Sequence, residues 1–180
     1  MSEAVEGGNG NTPAGGSLPD VVQSLQERYA ADLLGWNPAR DMLEITVRPT
    51  ALENVARHLR DTPGLDFNYL MDQTAVDWLG HRDVRFELVY HFFSLAHKRY
   101  VRVLSPVTEE HAEAVTLSRL FKAADWYERE IHEMYGIRFA GHHDLRKLLM
   151  YPEFKGYPLR KDYSMKGRQP LIGPGSRQES

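Results

Sequence analysis

Between Val84 and Phe93 the chain alternates strictly, with Val84, Phe86, Leu88, Tyr90 and Phe92 on one side of an extended backbone and Arg85, Glu87, Val89, His91 and Phe93 on the other. A period of two belongs to a strand and gives a helix no coherent face. The first set is wholly apolar or aromatic, so one face of this strand must be buried against another layer. Its neighbours agree. Phe67 to Trp78 reads as a strand, and Tyr100 to Leu104 is β-branched and aromatic. The links Gly80-His81-Arg82-Asp83 and Ala96-His97-Lys98 are short enough for hairpins. Further upstream, Leu43, Ile45 and Val47 alternate with Glu44, Thr46 and Arg48 as another half-buried strand.

Helical spacing frames this β-rich middle. Leu18, Val22, Leu25, Tyr29 and Leu33 share one face of a first helix, capped by Ser17, with Pro19 and Asp20 in its first turn and Gly35 as its stop. Thr50 and Glu53 form a capping box for a second helix with Leu52, Val55, Ala56 and Leu59 inward, ended by Asp61-Thr62-Pro63-Gly64. Ser118 is expected to cap a long third helix with the stripe Leu120, Ala124, Tyr127, Ile131 and Met134, closing at Gly136. The expected fold class is therefore α+β: an antiparallel or mixed β-sheet with helices packed on one face, followed by a long extended C-terminal arm.

Three regions follow. Residues 1–16, rich in Gly, Asn and Ser and free of Lys and Arg, read as a disordered acidic leader. Residues 17–136 form the globular α+β domain. Residues 137–180 lack any sustained period, and Pro152, Pro158, Pro170 and Pro174 forbid a continuous helix. Yet Phe139, Tyr151, Phe154, Tyr157 and Tyr163 are too many aromatics for a free tail. This segment is expected to be an aromatic, basic arm ordered against a partner protein; between 146 and 170 it carries seven basic residues against Glu153 and Asp162.

Composition removes several chemistries. The chain has no cysteine, which excludes disulfides, thiolate zinc, Cys-ligated iron–sulfur clusters and Cys nucleophiles. A net charge of −3 speaks against a nucleic-acid partner. The start shows no basic-then-apolar signal, and no run is long and apolar enough for a membrane helix. Neither the dinucleotide glycine pattern nor a Walker loop is present.

Three blocks carry a specific resemblance: Glu128-Arg129-Glu130-Ile131-His132-Glu133-Met134-Tyr135-Gly136-Ile137-Arg138-Phe139, Gly141-His142-His143-Asp144-Leu145-Arg146-Lys147-Leu148-Leu149, and Gly156-Tyr157-Pro158-Leu159-Arg160-Lys161-Asp162-Tyr163. Together they resemble the signature of the C-type subunit of respiratory NADH:quinone oxidoreductase, the complex I thirty-kilodalton subunit family. Weaker similarity begins at Phe67-Asn68-Tyr69-Leu70 and runs to Asp77-Trp78. The chain departs from the usual pattern at His132 and Glu133 (an aromatic, then Asp), at His143 (Pro) and at Tyr135 (Phe).

The resemblance implies a non-catalytic structural subunit of the complex's peripheral arm, on the cytoplasmic side of the cell membrane and peripheral to it. Its expected partner is the D-like, quinone-site protein of the complex. No cofactor is expected in this chain; FMN, iron–sulfur clusters and quinone belong to partner subunits. Related subunits of membrane-bound hydrogenase-type complexes share the motif.

The carboxylates Glu128, Glu130 and Glu133 crowd the unfavourable C-terminal half of the third helix and call for cations, which Arg146, Lys147, Arg160 and Lys161 can supply. A network through Arg160 and Lys161 is expected to fix the arm. Gly136, Gly141 and Gly156, with Pro158, read as chain reversals. A different class of reading is a stand-alone metal-dependent hydrolase built on the cluster from His132 to Asp144. His132-Glu133 opens like a zincin motif, but Gly136 stands where the second helical imidazole belongs.

Overall fold

The computed structural model describes residues 18–39, 42–164 and 166–169. The leader 1–16, the expected cap Ser17 and the last residues of the arm, 170–180, lie outside that range.

Among the described residues, seven strands and three α-helices follow one another as α1 (Leu18–Tyr29), β1 (Leu33–Ala39), β2 (Met42–Val47), α2 (Leu52–Asp61), β3 (Tyr69–Asp77), β4 (Phe86–Ser94), β5 (Arg99–Val107), β6 (Glu113–Val115), α3 (Ala124–Tyr135) and β7 (Arg138–Ala140). Five strands make a mixed sheet in the order β1-β2-β5-β4-β3. Within it only the β2–β5 pair is parallel, which the long crossover through α2 and the β3–β4 hairpin permits.

The apolar side of β4 is realised from Phe86 onward, with Phe86, Leu88, Tyr90 and Phe92 fully buried, whereas Val84 lies half-buried before the strand and Arg85 and Val89, expected on the outward side, are buried too. Phe86, Leu88, Tyr90 and Phe92 face Val101, Val103 and Val107 of β5 and Leu43, Ile45 and Val47 of β2 in one core. Val21, Val22 and Leu25 of α1 and Leu52, Val55, Ala56 and Leu59 of α2 cover that face, and α3 packs along β3. The fold is α+β with a mixed sheet, as its periods dictate.

Four local expectations give way. The first helix stops at Tyr29, and Leu33 begins a strand instead, because 33–39 pairs back onto β2, with Trp36 opposite Ile45 and Pro38 opposite Leu43. Gly35 and Pro38 tolerate this because β1 is an edge strand. Thr50 caps nothing: a 3-10 turn at Pro49–Ala51 leads into α2, and Glu53 pairs with Arg57 at 2.8 Å. Ser118 is no cap either; α3 starts at Ala124 after turns in which Leu120 and Phe121 donate to the Leu117 carbonyl at 2.8 Å. Finally, Gly136 does not end the packed body. β7 pairs in parallel with β6, and Ile137 and Phe139 are buried in the core.

Candidate docking interface

The C-terminal half of α3 is laced to the arm, and backbone groups do most of the lacing. Glu133, buried, accepts hydrogen bonds from the amides of Leu148 (3.1 Å), Leu149 (2.8 Å) and Met150 (2.7 Å). Three amide donors satisfy one carboxylate's acceptors without any cation. Arg129, on the preceding turn, donates from Nε to the Arg146 carbonyl at 3.1 Å and from Nη2 to that of Lys147. Lys147 folds back onto its own segment, donating to the carbonyls of Pro152 and Phe154. The expected exchange of carboxylates with arm cations is therefore replaced by side chain-to-backbone bonds. Arg146 binds Asp144 instead, at 2.7 Å, and holds that half-buried carboxyl well below its ordinary range.

The end of α3 supplies a second attachment. Gly136 closes the helix at φ 77°, a left-handed conformation that glycine adopts freely. A Cβ there would lie 2.6 Å from the Tyr157 ring and 2.8 Å from Arg160 Nη2, so the arm crosses the helix end against bare backbone. Arg160 Nε donates to the Tyr135 carbonyl at 2.6 Å, and the Leu159 amide donates to the Met134 carbonyl at 3.2 Å. A cation is thus placed at the negative end of the helix. Its guanidinium also stacks over Tyr157 (4.5 Å) and Phe86 (5.2 Å). Gly156, at φ 90°, lets Tyr163 approach closely, and Tyr163 stacks on Phe154 at 6.2 Å.

The strongest node was not legible beforehand. Arg85 and Asp77 face each other at the turn end of the β3–β4 hairpin, both buried. Arg85 grips Asp77 with two bonds, Nε to Oδ1 at 3.1 Å and Nη2 to Oδ2 at 2.9 Å. It then reaches Glu109 at 2.6 Å and Asp162 of the arm at 2.7 Å. The Lys161 amide donates to Asp77 Oδ2 at 2.9 Å. The hydrogen bonds that Arg85 donates to Asp77 and Asp162 raise its pKa further above its ordinary value. Burial works to raise the Asp77 carboxyl, but the bonds from Arg85 and the Lys161 and Leu79 amides outweigh it, and the carboxyl lies below its usual range. Arg160 and Lys161 do sit at the arm's attachment, Lys161 through its backbone. In the sequence Arg85 reads merely as a charge on the outward side of a strand; the available clue was that Asp77 and Arg85 flank one hairpin.

Glu128 turns inward. It is fully buried on the core stripe of α3, where it accepts from the Thr116 hydroxyl and, at 2.7 Å, from the Leu117 amide. Burial pushes its carboxyl up to about 7, against those bonds. The Gln73 carboxamide lies beside both Glu128 and the Tyr90 hydroxyl without a well-formed bond to either. Glu130 stays exposed on the helix surface.

The residues from His132 to Asp144 are not gathered into one metal cluster. His132 bonds the Ile137 carbonyl at 3.0 Å, Glu133 holds arm amides, and Asp144 holds Arg146. The group that does come together is Asp125, His142 and His143. His142, its side chain fully buried, accepts from the Asp144 amide at Nδ1 (3.0 Å), which leaves its proton on Nε2, 3.0 Å from Asp125 Oδ1. A histidine ligand needs a free lone pair on one nitrogen and a donor proton on the other. The Asp144 amide removes the second, so the ring suits a structural tie at the root of the arm.

Outward from this lacing point Leu149, Leu159 and Tyr157 of the arm, 59%, 51% and 38% exposed, and Trp126 of α3, 56% exposed. A cleft of about 740 Å3 lies between α3 and the arm, lined by Arg129, His132, Leu145, Met150 and Tyr157 among others. Phe139, by contrast, is core, Leu145 packs partly against it, and Pro158 is half-buried.

A one-sided α+β sheet whose last helix carries the Glu-Arg-Glu block and is bonded to a proline-rich arm defines a recognisable class. The family profile of the respiratory-chain NADH dehydrogenase 30 kDa subunit matches residues 45–169. The chain belongs to that family. It is 41% identical over 155 residues to the C-type subunit of NADH-quinone oxidoreductase from Citrifermentans bemidjiense, covering 85% of this chain and 94% of that one. It is 39% identical to the same subunit from Rhodobacter capsulatus over 150 residues, 83% of this chain and 74% of that one. Among solved structures, a trypsin-resistant fragment (1–134) of Nqo5 aligns with TM-score 0.59 and 26% identity, covering 69% of this chain and 99% of the fragment. A chain of the membrane-bound sulfane sulfur reductase, an archaeal respiratory membrane complex, aligns with TM-score 0.67 and 27% identity, covering 82% and 86%. Among the described residues no helix is long and apolar enough to cross a membrane.

Proposed function

We propose that this chain is a structural subunit of the peripheral arm of a proton-pumping NADH:quinone oxidoreductase. It lies on the cytoplasmic side of the membrane and performs no reaction itself. Its arm, from Leu145 onward, holds and positions the D-like, quinone-site partner, while FMN, iron–sulfur clusters and quinone reside in partner chains. One observation carries the reading. The arm spends its polar groups on the body, through Glu133, Arg129, Asp77 and Arg85, and presents Leu149, Tyr157 and Leu159 outward. An irregular segment anchored this way offers apolar contacts on a rigid base, and the contact it forms is extended rather than compact. Rigid placement matters because small displacements of reacting groups lower rates steeply.

The test is retention of the chain in the purified complex before and after truncation following Asp144, which removes the irregular arm and leaves β7 and the buried His142 in place. Loss of the quinone-site partner on truncation is expected; full retention without the arm refutes the reading. A second setting, a hydrogenase-type membrane complex, has specific support: the sulfane sulfur reductase neighbour is a respiratory membrane complex named for a different reaction. Identification of the co-purifying subunits by mass spectrometry separates the two.

A further inference from the structure

The body carries a second contact surface that the arm does not use. A groove of about 460 Å3 runs along the start of α3, lined by Ser118, Arg119, Lys122, Trp126, Gly141 and His143, with Asp125 at its floor. Arg119 and Lys122 are exposed, and neither makes an ion pair with any acidic side chain among the described residues. The groove's one carboxylate is turned towards the histidines: Asp125 Oδ1 lies 3.0 Å from His142 Nε2 and 3.7 Å from His143 Nδ1, without a well-formed hydrogen bond to either. Trp126 is 56% exposed, and the Arg129 guanidinium stands 5.3 Å from its ring. Arg119 reaches over Gly141, where a side chain would come within 3.9 Å of its guanidinium.

An open tryptophan beside three cations, with a single half-buried carboxylate that pairs with none of them, has the composition of a binding hot spot that lacks its negative half. We propose that this groove docks an acidic segment of a companion protein, with Asp or Glu side chains on Arg119 and Lys122 and an aliphatic or aromatic side chain covering Trp126. The inference rests on the reading of the chain as a subunit of a larger assembly, and it adds to that reading a contact on the body distinct from the arm. Carboxylates, rather than a purely apolar partner, are required because desolvating two unpaired cations without compensation is costly.

The experiment uses the assembled complex. A photocrosslinking phenylalanine analogue is placed at position 126, and the crosslinked peptide is mapped by mass spectrometry. The expected product is one segment of a companion protein bearing acidic residues. Crosslinking to lipid, to a second copy, to residues 1–17 of the same chain or to a segment without Asp or Glu overturns the proposal, as does the absence of any crosslink. In parallel, Trp126→Ala is expected to weaken retention in the complex roughly thirtyfold, and Arg119→Glu with Lys122→Glu to lower the salt concentration at which the chain is released. All three side chains are exposed, so an unchanged circular dichroism melt serves as the folding control. If truncation following Asp144, which leaves the groove lining intact, disrupts assembly while these variants bind as wild type, the groove is refuted and the subunit reading stands. If neither truncation nor these variants matters, both fall.

Discussion

Replacing Glu128 by Gln tests whether the core of this protein holds a proton at neutral pH. Glu128 has no exposed surface, and burial pushes its carboxyl from 4.5 up to about 7. The folded state therefore binds this proton more tightly than the unfolded chain, and stability falls as pH rises between the two values. The full effect of a shift from 4.5 to about 7 is roughly 3.4 kcal/mol at 1.36 kcal/mol per pKa unit. Between pH 5 and pH 8 the same linkage relation yields about 2.5 kcal/mol, with most of the fall complete by pH 7. Glutamine keeps the shape and one acceptor but cannot ionise, so its cost through Thr116 is constant with pH. His58 and His91, both lowered by burial, titrate in the same window with opposite sign, and they cancel in the comparison of variant with wild type. Urea unfolding of both proteins at pH 5, 6, 7 and 8 measures the difference. The variant should gain about 2.5 kcal/mol on wild type across that range; parallel stability curves would refute the assignment of a near-neutral buried carboxyl.

Three further outcomes follow from the lacing of the arm. Arg85→Ala leaves Asp77 buried and unpaired, which should cost about 3–5 kcal/mol in urea unfolding and speed tryptic cleavage between Lys155 and Lys166. Glu133→Gln turns one acceptor oxygen into an NH2 group facing amide donors. It should therefore raise hydrogen exchange at Leu148, Leu149 and Met150 at least tenfold, equivalent to about 1.4 kcal/mol, while the β4 amides remain protected. Gly136→Ala strains a left-handed position and drives a methyl into Tyr157, so it should lower stability by more than about 1 kcal/mol; a thermal midpoint equal to wild type contradicts that crowding.

The central sheet was readable because its residues obey one period. Phe86 to Phe92 could be buried in only one way, and Leu43, Ile45 and Val47 follow the same rule. The edge strand β1 escaped because Leu33 satisfies helical and strand spacing equally, and only pairing with β2 decides between them. β6 and β7, three residues each, are too short to show any period. In the docking interface the three motif blocks were legible as a group, and Gly136, Arg160 and Lys161 were read near their real places. Partners were not. Glu133 and Arg129 bind backbone, which no residue pattern advertises, and Arg85 meets Asp162 across 77 residues of chain. The wish for cations around Glu128 failed because that side chain lies on the inward stripe with Ile131, where burial and a proton replace a counter-ion.

The Arg85 node also bears on the order in which this protein is made. Asp77, Arg85 and Glu109 all belong to residues translated long before Asp162, and they can clasp one another as soon as β3 to β5 are paired. In the folded protein three of the node's four side chains come from the body, and the tail adds only Asp162 and the Lys161 amide. The last part of the chain to be synthesised therefore closes onto charges that earlier residues supply.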